Sequence, residues 1–157
     1  MNVIFDTQSL YYLPQYVPVF KKLSEKGIKS KFVFYKNSHK HLIQRVIDDY
    51  NLDHIWVDDQ LQAMDFYEQE KADWVFFANS FSYLERLHKV SKSAQLGHGI
   101  GPKSSYYTKS NKAMTVRFVE GAYRLARLES MYPDDKFIDV GFCKLDPIFN
   151  NEKIDGA

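Results

Sequence analysis

The sequence predicts an α/β protein, an open and mostly parallel sheet with helices on both faces. Short apolar runs alternate with stretches of helical periodicity along the chain, the pattern of strands joined by helical crossovers. Several of those runs are continuously apolar, as expected of parallel strands buried on both faces. Polar or glycine-bearing turns follow the runs, and crossovers between parallel strands are right-handed.

The elements follow in order. Val3-Ile4-Phe5 is the first strand and ends at Asp6. A helix covers Leu13 to Lys26, with Val17, Phe20 and Leu23 at helical spacing and Gly27 as its stop. Its tyrosines (Tyr11, Tyr12 and Tyr16, with Phe20) read either as core or as an apolar surface patch. Lys31-Phe32-Val33-Phe34-Tyr35 is the second strand. Ser38 caps a helix from His39 to Tyr50 with Leu42, Val46 and Ile47 on its apolar face. His54-Ile55-Trp56-Val57 is the third strand, and a helix from Gln60 to Gln69 turns Leu61, Met64 and Phe66 inward. Trp74-Val75-Phe76-Phe77-Ala78 is the strongest strand; it opens into the polar turn Asn79-Ser80-Phe81-Ser82 and a short helix around Tyr83 to Leu87. Lys92 to Leu96 runs into a glycine-rich turn. Thr115 to Val119 is a strand broken by Glu120-Gly121, and the helix from Ala122 to Met131 carries Leu125 and Leu128. Tyr132-Pro133-Asp134-Asp135 is a turn, and Phe137 to Gly141 is the last strand. Residues 1–149 therefore form one domain, and residues 150–157 form a polar tail or the start of a linker.

Composition narrows the function. The chain has 157 residues, enough for one domain with a real core. Lysine and arginine number 21 against 20 acidic residues, so bulk charge offers no attraction to nucleic acid. The single cysteine, Cys143, excludes an internal disulfide framework and fits a reducing compartment. The start, Met-Asn-Val-Ile-Phe-Asp, lacks the basic and apolar regions of a signal peptide. No apolar stretch approaches the ~20 residues that span a bilayer. The expected location is cytoplasmic, with contact at the inner face of a membrane left open.

The segment richest in chemistry is Gln95-Leu96-Gly97-His98-Gly99-Ile100-Gly101-Pro102-Lys103. Ligands of open α/β sheets bind beyond the carboxyl ends of the strands, where this segment falls together with Asp6, Asn79, Ser80 and Lys144. His98 is either a base that accepts a hydroxyl proton or a turn histidine bonded to a neighbouring carbonyl. The amides of Gly97, Gly99 and Gly101, with Lys103, form either an anion-binding nest or a solvated turn. Ser104-Ser105-Tyr106-Tyr107-Thr108 lines a polyol site or is plain loop. Lys144 and Asp146 are either site residues or a surface ion pair. Neither a nucleotide P-loop nor a dinucleotide fingerprint is present, and no Gly-x-Ser-x-Gly elbow occurs. His39 and His41 do not share a helical face, so no metal site is expected there. Cys143 lacks a histidine partner that would make it a nucleophile.

Two motifs in this order carry a family resemblance. Gln95 to Lys103 resembles the Q-L-W-H-G-T-P-L-K segment of the CDP-glycerol glycerophosphotransferases, the polymerases and primases of teichoic acid synthesis. Gly141-Phe142-Cys143-Lys144-Leu145-Asp146 is similar to their G-Y-P-R-N-D signature, and Val116 to Gly121 looks like the strand and turn between. Gly97 stands where the family has tryptophan, Ile100-Gly101 where it has Thr-Pro, and Lys144 where it has arginine. The resemblance covers residues 70–149.

It implies the N-terminal half of a GT-B fold, a Rossmann-like acceptor-side domain facing a cleft. It implies His98 as the base that activates an acceptor hydroxyl; Gly97, Gly99, Gly101, Lys103, Tyr106, Ser80, Lys144 and Asp146 are the expected substrate-side residues. No cofactor is implied; the donor is CDP-glycerol or another CDP-alditol, and the acceptor a polyol phosphate or glycan of a surface polymer or its lipid-linked primer. A C-terminal donor-binding domain would begin where this sequence ends. The expectation is therefore a portion of a longer enzyme, inactive alone, with a natural half-length protein as the other explanation. A stand-alone domain that binds a phosphorylated sugar or nucleotide without turnover, and a part of a nucleotide-sugar glycosyltransferase, are the alternative functions.

Overall fold

The computed structural model describes residues 1–36, 39–97, 99, 101, 103–108 and 114–153. In chain order it contains β1 (Asn2–Thr7), a 3₁₀ turn (Leu10–Tyr12), α1 (Leu13–Glu25), β2 (Lys29–Tyr35), α2 (Lys40–Tyr50), β3 (His54–Val57), α3 (Gln60–Glu70) and β4 (Trp74–Phe77). Then come α4 (Leu84–Leu87), β5 (Lys92–Gln95), a 3₁₀ turn (Ser104–Tyr107), β6 (Val116–Val119), α5 (Ala122–Met131), β7 (Phe137–Asp139), a 3₁₀ turn (Cys143–Leu145) and α6 (Asp146–Phe149). The strands form one sheet of order β3-β2-β1-β4-β5-β6-β7, and every neighbouring pair is parallel. The expected open parallel α/β sheet is the observed one. Because all strands run the same way, their carboxyl ends lie along a single edge.

Residues alternate across β1, so successive side chains enter opposite layers. Ile4, Val33, Val75 and Phe77 pack against Ala63, Met64 and Tyr67 of α3 and Leu84 and Leu87 of α4. Val3, Phe5, Phe32 and Phe34 pack against Leu13 and Tyr16 of α1 and Ile43 and Ile47 of α2. In this second layer Phe5 stacks on Phe32 at 4.8 Å and on Phe76 at 5.4 Å between ring centroids. Such rings bury large areas across three adjacent strands, which accounts for much of the aromatic content. Tyr12 and Tyr16 belong to this core, and Tyr11 is half exposed.

Two helical faces differ from expectation. On α2 the buried pair is Ile43 and Ile47, one turn apart, while Leu42 is exposed. On α3 the buried residues are Ala63, Met64 and Tyr67; Leu61 faces out and Phe66 is half-buried. A polar anchor sets the rotation of α3: the Tyr67 hydroxyl donates to Asp6 Oδ2 at 2.5 Å. Asp59 caps α3 by accepting from the Gln62 amide at 2.9 Å. Ser38, the expected cap of α2, lies outside the described residues.

Asp6 is the polar centre of the fold. Its carboxylate is buried and also accepts from the Tyr35 hydroxyl at 2.8 Å and from Gln8 Nε2 at 3.0 Å. Its backbone carbonyl accepts from the Tyr16 hydroxyl at 2.8 Å. Burial is the dominant influence on this acid and outweighs the hydrogen bonds, raising its pKa from 3.8 to about 6. A raised acid pKa means that the folded state holds a proton the unfolded chain has already lost. The resulting stabilisation is complete below pH ~4 and is lost as pH rises through about 6. The displacement corresponds to about 3 kcal/mol. Between pH ~4 and ~7 the wild-type unfolding free energy should therefore fall by about that much relative to Asp6→Asn. Urea unfolding across this range measures it, and parallel pH profiles for the two proteins would contradict it.

Candidate functional site

A cavity of about 270 Å³ opens where β4, β5, β6 and β7 end. Ala78 and Asn79 follow β4, Leu96, Gly97 and Gly99 follow β5, Glu120 follows β6, and Gly141 and Phe142 follow β7; all of them line it. Lys103 and Tyr106 close one side, and Arg117 of β6 and Arg124 of α5 form part of its wall. Parallel register is what gathers these residues: Phe77 pairs with Gln95, Gln95 with Arg117, and Arg117 with Phe137.

The turn after β5 needs glycine at two points for different reasons. Gly97 has φ +65°, a left-handed conformation that side chains disfavour. Gly99 is tightly faced: a Cβ there would sit 2.7 Å from the Tyr106 hydroxyl, and that side chain would have to shift. Tyr106 is therefore seated directly against the turn. Its ring also lies 4.7 Å from the Arg124 guanidinium, a cation–π contact, and its carbonyl accepts from Arg117.

The cavity is cationic. Lys103, Arg117 and Arg124 face a single acid, Glu120, among the described lining residues. Arg124 is buried, pairs with Glu120 at 2.9 Å and donates to the Gly101 carbonyl at 2.9 Å. Arg117 is also buried, and no carboxylate among the described residues lies within ion-pair distance of it. Burial first, and then the Arg124 charge, lower its pKa from the ordinary guanidinium value. An arginine remains charged at any physiological pH nonetheless.

The structure brings Gly97, Gly99, Lys103 and Tyr106 together on this cavity. Gly101 stands behind it as the acceptor for Arg124. His98 lies outside the described residues; both of its neighbours line the cavity. Ser80 stands to one side, with its carbonyl accepting from Gln8 Nε2 at 3.4 Å. Lys144 and Asp146 lie on a different groove, between α1, α2 and α6. They do not pair with each other, and the Lys144 ammonium sits 5.0 Å over the Tyr11 ring. Burial pushes the Cys143 thiol up to about 11, and its sulfur donates to the Gln15 carbonyl. A thiol held protonated is a poor nucleophile. No group of three or more His, Cys, Asp or Glu among the described residues could hold a metal ion.

With this geometry in place, the fold can be matched. The chain has the Rossmann-like fold of a GT-B half. It superposes on the crystal structure of UDP-GlcNAc 2-epimerase from Neisseria meningitidis bound to UDP-GlcNAc with a TM-score of 0.72 and 14% identity. That match covers 96% of this chain and 49% of the epimerase. MurG of Acinetobacter baumannii matches with a TM-score of 0.60 and 13% identity, over 90% of this chain and 45% of MurG. The chain thus spans about half the length of these structures. No family model and no curated protein matches the sequence. No helix among the described residues is long and apolar enough to cross a membrane.

Local sequence pattern does not bring Arg117 and Arg124 to the glycine-rich turn. A signal was present: Arg117 interrupts the apolar run Val116 to Val119, and a cation inside a buried parallel strand calls for an explanation. The close seat of Tyr106 against the turn gives a direct test. Gly99→Ala should lower stability by about 1 kcal/mol through overpacking against the Tyr106 hydroxyl. Combining it with Tyr106→Phe should recover part of that loss, and a double-mutant cycle in urea measures the coupling. Strict additivity would show that the contact is absent.

Proposed function

We propose that this chain is the acceptor-side domain of a GT-B transferase of the CDP-glycerol glycerophosphotransferase type. In this reading it helps move an alditol phosphate from a CDP-alditol to a hydroxyl of a cell-surface polymer or its lipid-linked primer. The observation that carries the reading is the cationic cavity at the strand ends, lined by both neighbours of His98 and by Lys103. It stands where open α/β sheets bind ligands, and it joins the two motif regions, since Gly141 and Phe142 lie on its wall.

In the proposed step His98 takes the proton of the acceptor hydroxyl. The oxygen forms a new bond to the phosphorus that carries the alditol, and the bond from that phosphorus to CMP breaks. Positioning and fixed positive charge supply most of the catalysis in phosphoryl transfer, and Lys103 with the arginines provides charge of that sign. The donor is held mainly by a second domain, and the work takes place at the cytoplasmic face of the membrane. With the full-length protein, CDP-glycerol and a glycerophosphate primer, His98→Ala should reduce transfer by about 10²-fold or more. Unchanged turnover would remove His98 from the mechanism.

A second reading draws on the fold match to an epimerase bound to UDP-GlcNAc and to MurG: the domain belongs to a nucleotide-sugar glycosyltransferase. Thermal-shift screening of the full-length protein separates the two. Stabilisation by CDP-glycerol supports the first reading, and stabilisation by a UDP-sugar alone supports the second.

A further inference from the structure

We propose that Arg117, Arg124 and Lys103 form a binding site for the phosphate group of a small polyol phosphate, which holds the acceptor's terminal phosphate rather than the donor nucleotide. The anion site follows from the residues themselves. The choice of a polyol phosphate as its occupant rests on the transferase reading above.

Charge is the first argument. A guanidinium withdrawn from water is costly unless an anion accompanies it. Arg124 has Glu120 as its counter-ion at 2.9 Å. Among the described residues Arg117 donates to the Tyr106 carbonyl and has no acid within ion-pair distance. Its burial is nevertheless more than nine-tenths. The mutual repulsion of Arg117 and Arg124 adds to that cost and would be relieved by a dianion between them. Exposed Lys103 on the rim supplies a third charge at the mouth of the cavity.

Rigidity is the second argument. Arg124 is stacked on Tyr106 and Tyr107, at 4.7 and 5.4 Å from their ring centroids. Its charge is therefore aimed before any ligand arrives, and preorganisation of this kind lowers the entropic cost of binding. Guanidinium forks also suit phosphate oxygens better than an ammonium does.

Size is the third. At about 270 Å³ the cavity lies just below the ~300–1,000 Å³ of pockets that enclose drug-sized ligands. It suits a phosphate on a short polyol better than a complete nucleotide. Lining side chains such as Asn79 and Ser105 offer partners for hydroxyl groups.

Isothermal titration of the intact chain with sn-glycerol 3-phosphate, inorganic phosphate, glycerol and CMP tests the site. Saturable binding of sn-glycerol 3-phosphate, tighter than that of inorganic phosphate and with glycerol silent, is the expected result. Arg117→Lys should weaken it about tenfold, the loss of one charge-assisted hydrogen bond. Because Arg117 also holds the Tyr106 carbonyl, Lys103→Gln provides a second variant at an exposed position, with an expected loss of about threefold or more. Absence of binding, undiminished binding in both variants, or CMP binding while sn-glycerol 3-phosphate fails would each overturn the proposal. Binding without transfer from CDP-glycerol in the full-length protein would leave this site standing and remove the transferase reading.

Discussion

The buried carboxylate of Asp6 is the constraint on which the surrounding structure depends. It sits near the carboxyl end of β1, an interior strand flanked by β2 and β4. Tyr35 of β2 and Tyr67 of α3 donate to its side chain, and Tyr16 of α1 donates to its carbonyl. Three phenols that face the core each need a partner, because an unsatisfied hydroxyl in the interior carries a penalty of about 1–3 kcal/mol. One aspartate satisfies all of them. The arrangement couples both layers of helices to β1, so α1 and α3 cannot rotate independently of the sheet.

The same residue reaches towards the candidate site. Gln8 bonds both the Asp6 carboxylate and the Ser80 carbonyl, and Gln60 Nε2 donates to Gln8 Oε1. Gln60 also accepts from the Ser82 amide. A polar chain therefore runs from the core of β1 into the turn after β4. That turn begins with Ala78 and Asn79, which form one wall of the cavity, and Asn79 bonds the Tyr12 hydroxyl. The opposite wall is fixed by a different device, the stacking of Arg124 on Tyr106 and Tyr107. The cavity is held by hydrogen bonds on the β4 side and by cation–π packing on the α5 side.

The strands were legible in the sequence because buried parallel strands are continuous apolar runs, and Trp74 to Phe77 is the plainest case. Helix faces were less so. A hydrophobic count favours Leu61 on α3, but the face is chosen by Tyr67, whose hydroxyl must meet an acid 61 residues away. That pairing cannot be read from local periodicity. The glycine-rich turn was legible as a ligand-edge segment, since Gly97 and Gly99 follow β5. Arg117 and Arg124 were not, because each looks like an ordinary strand or helix residue until the sheet register places them beside that turn. Lys144 and Asp146 shared a motif with Gly141 and Phe142, yet the 3₁₀ turn at Cys143–Leu145 carries them onto the neighbouring groove.

Net charge and local charge separate here for a physical reason. A chain with 21 basic and 20 acidic side chains generates little field at a distance, which removes the long-range steering that a polyanion would exploit. Inside a cleft, however, low-dielectric walls strengthen each remaining charge and weaken its screening by salt. Several of the acids are engaged elsewhere in surface pairs, such as Glu68 and Asp65 on Arg86 and Asp58 on Lys36. Among the described lining residues Glu120 alone opposes three cations at the cavity. Near-neutrality overall and a concentrated positive site are compatible, and together they favour recognition of a single phosphate group at short range over attraction of a ligand from afar.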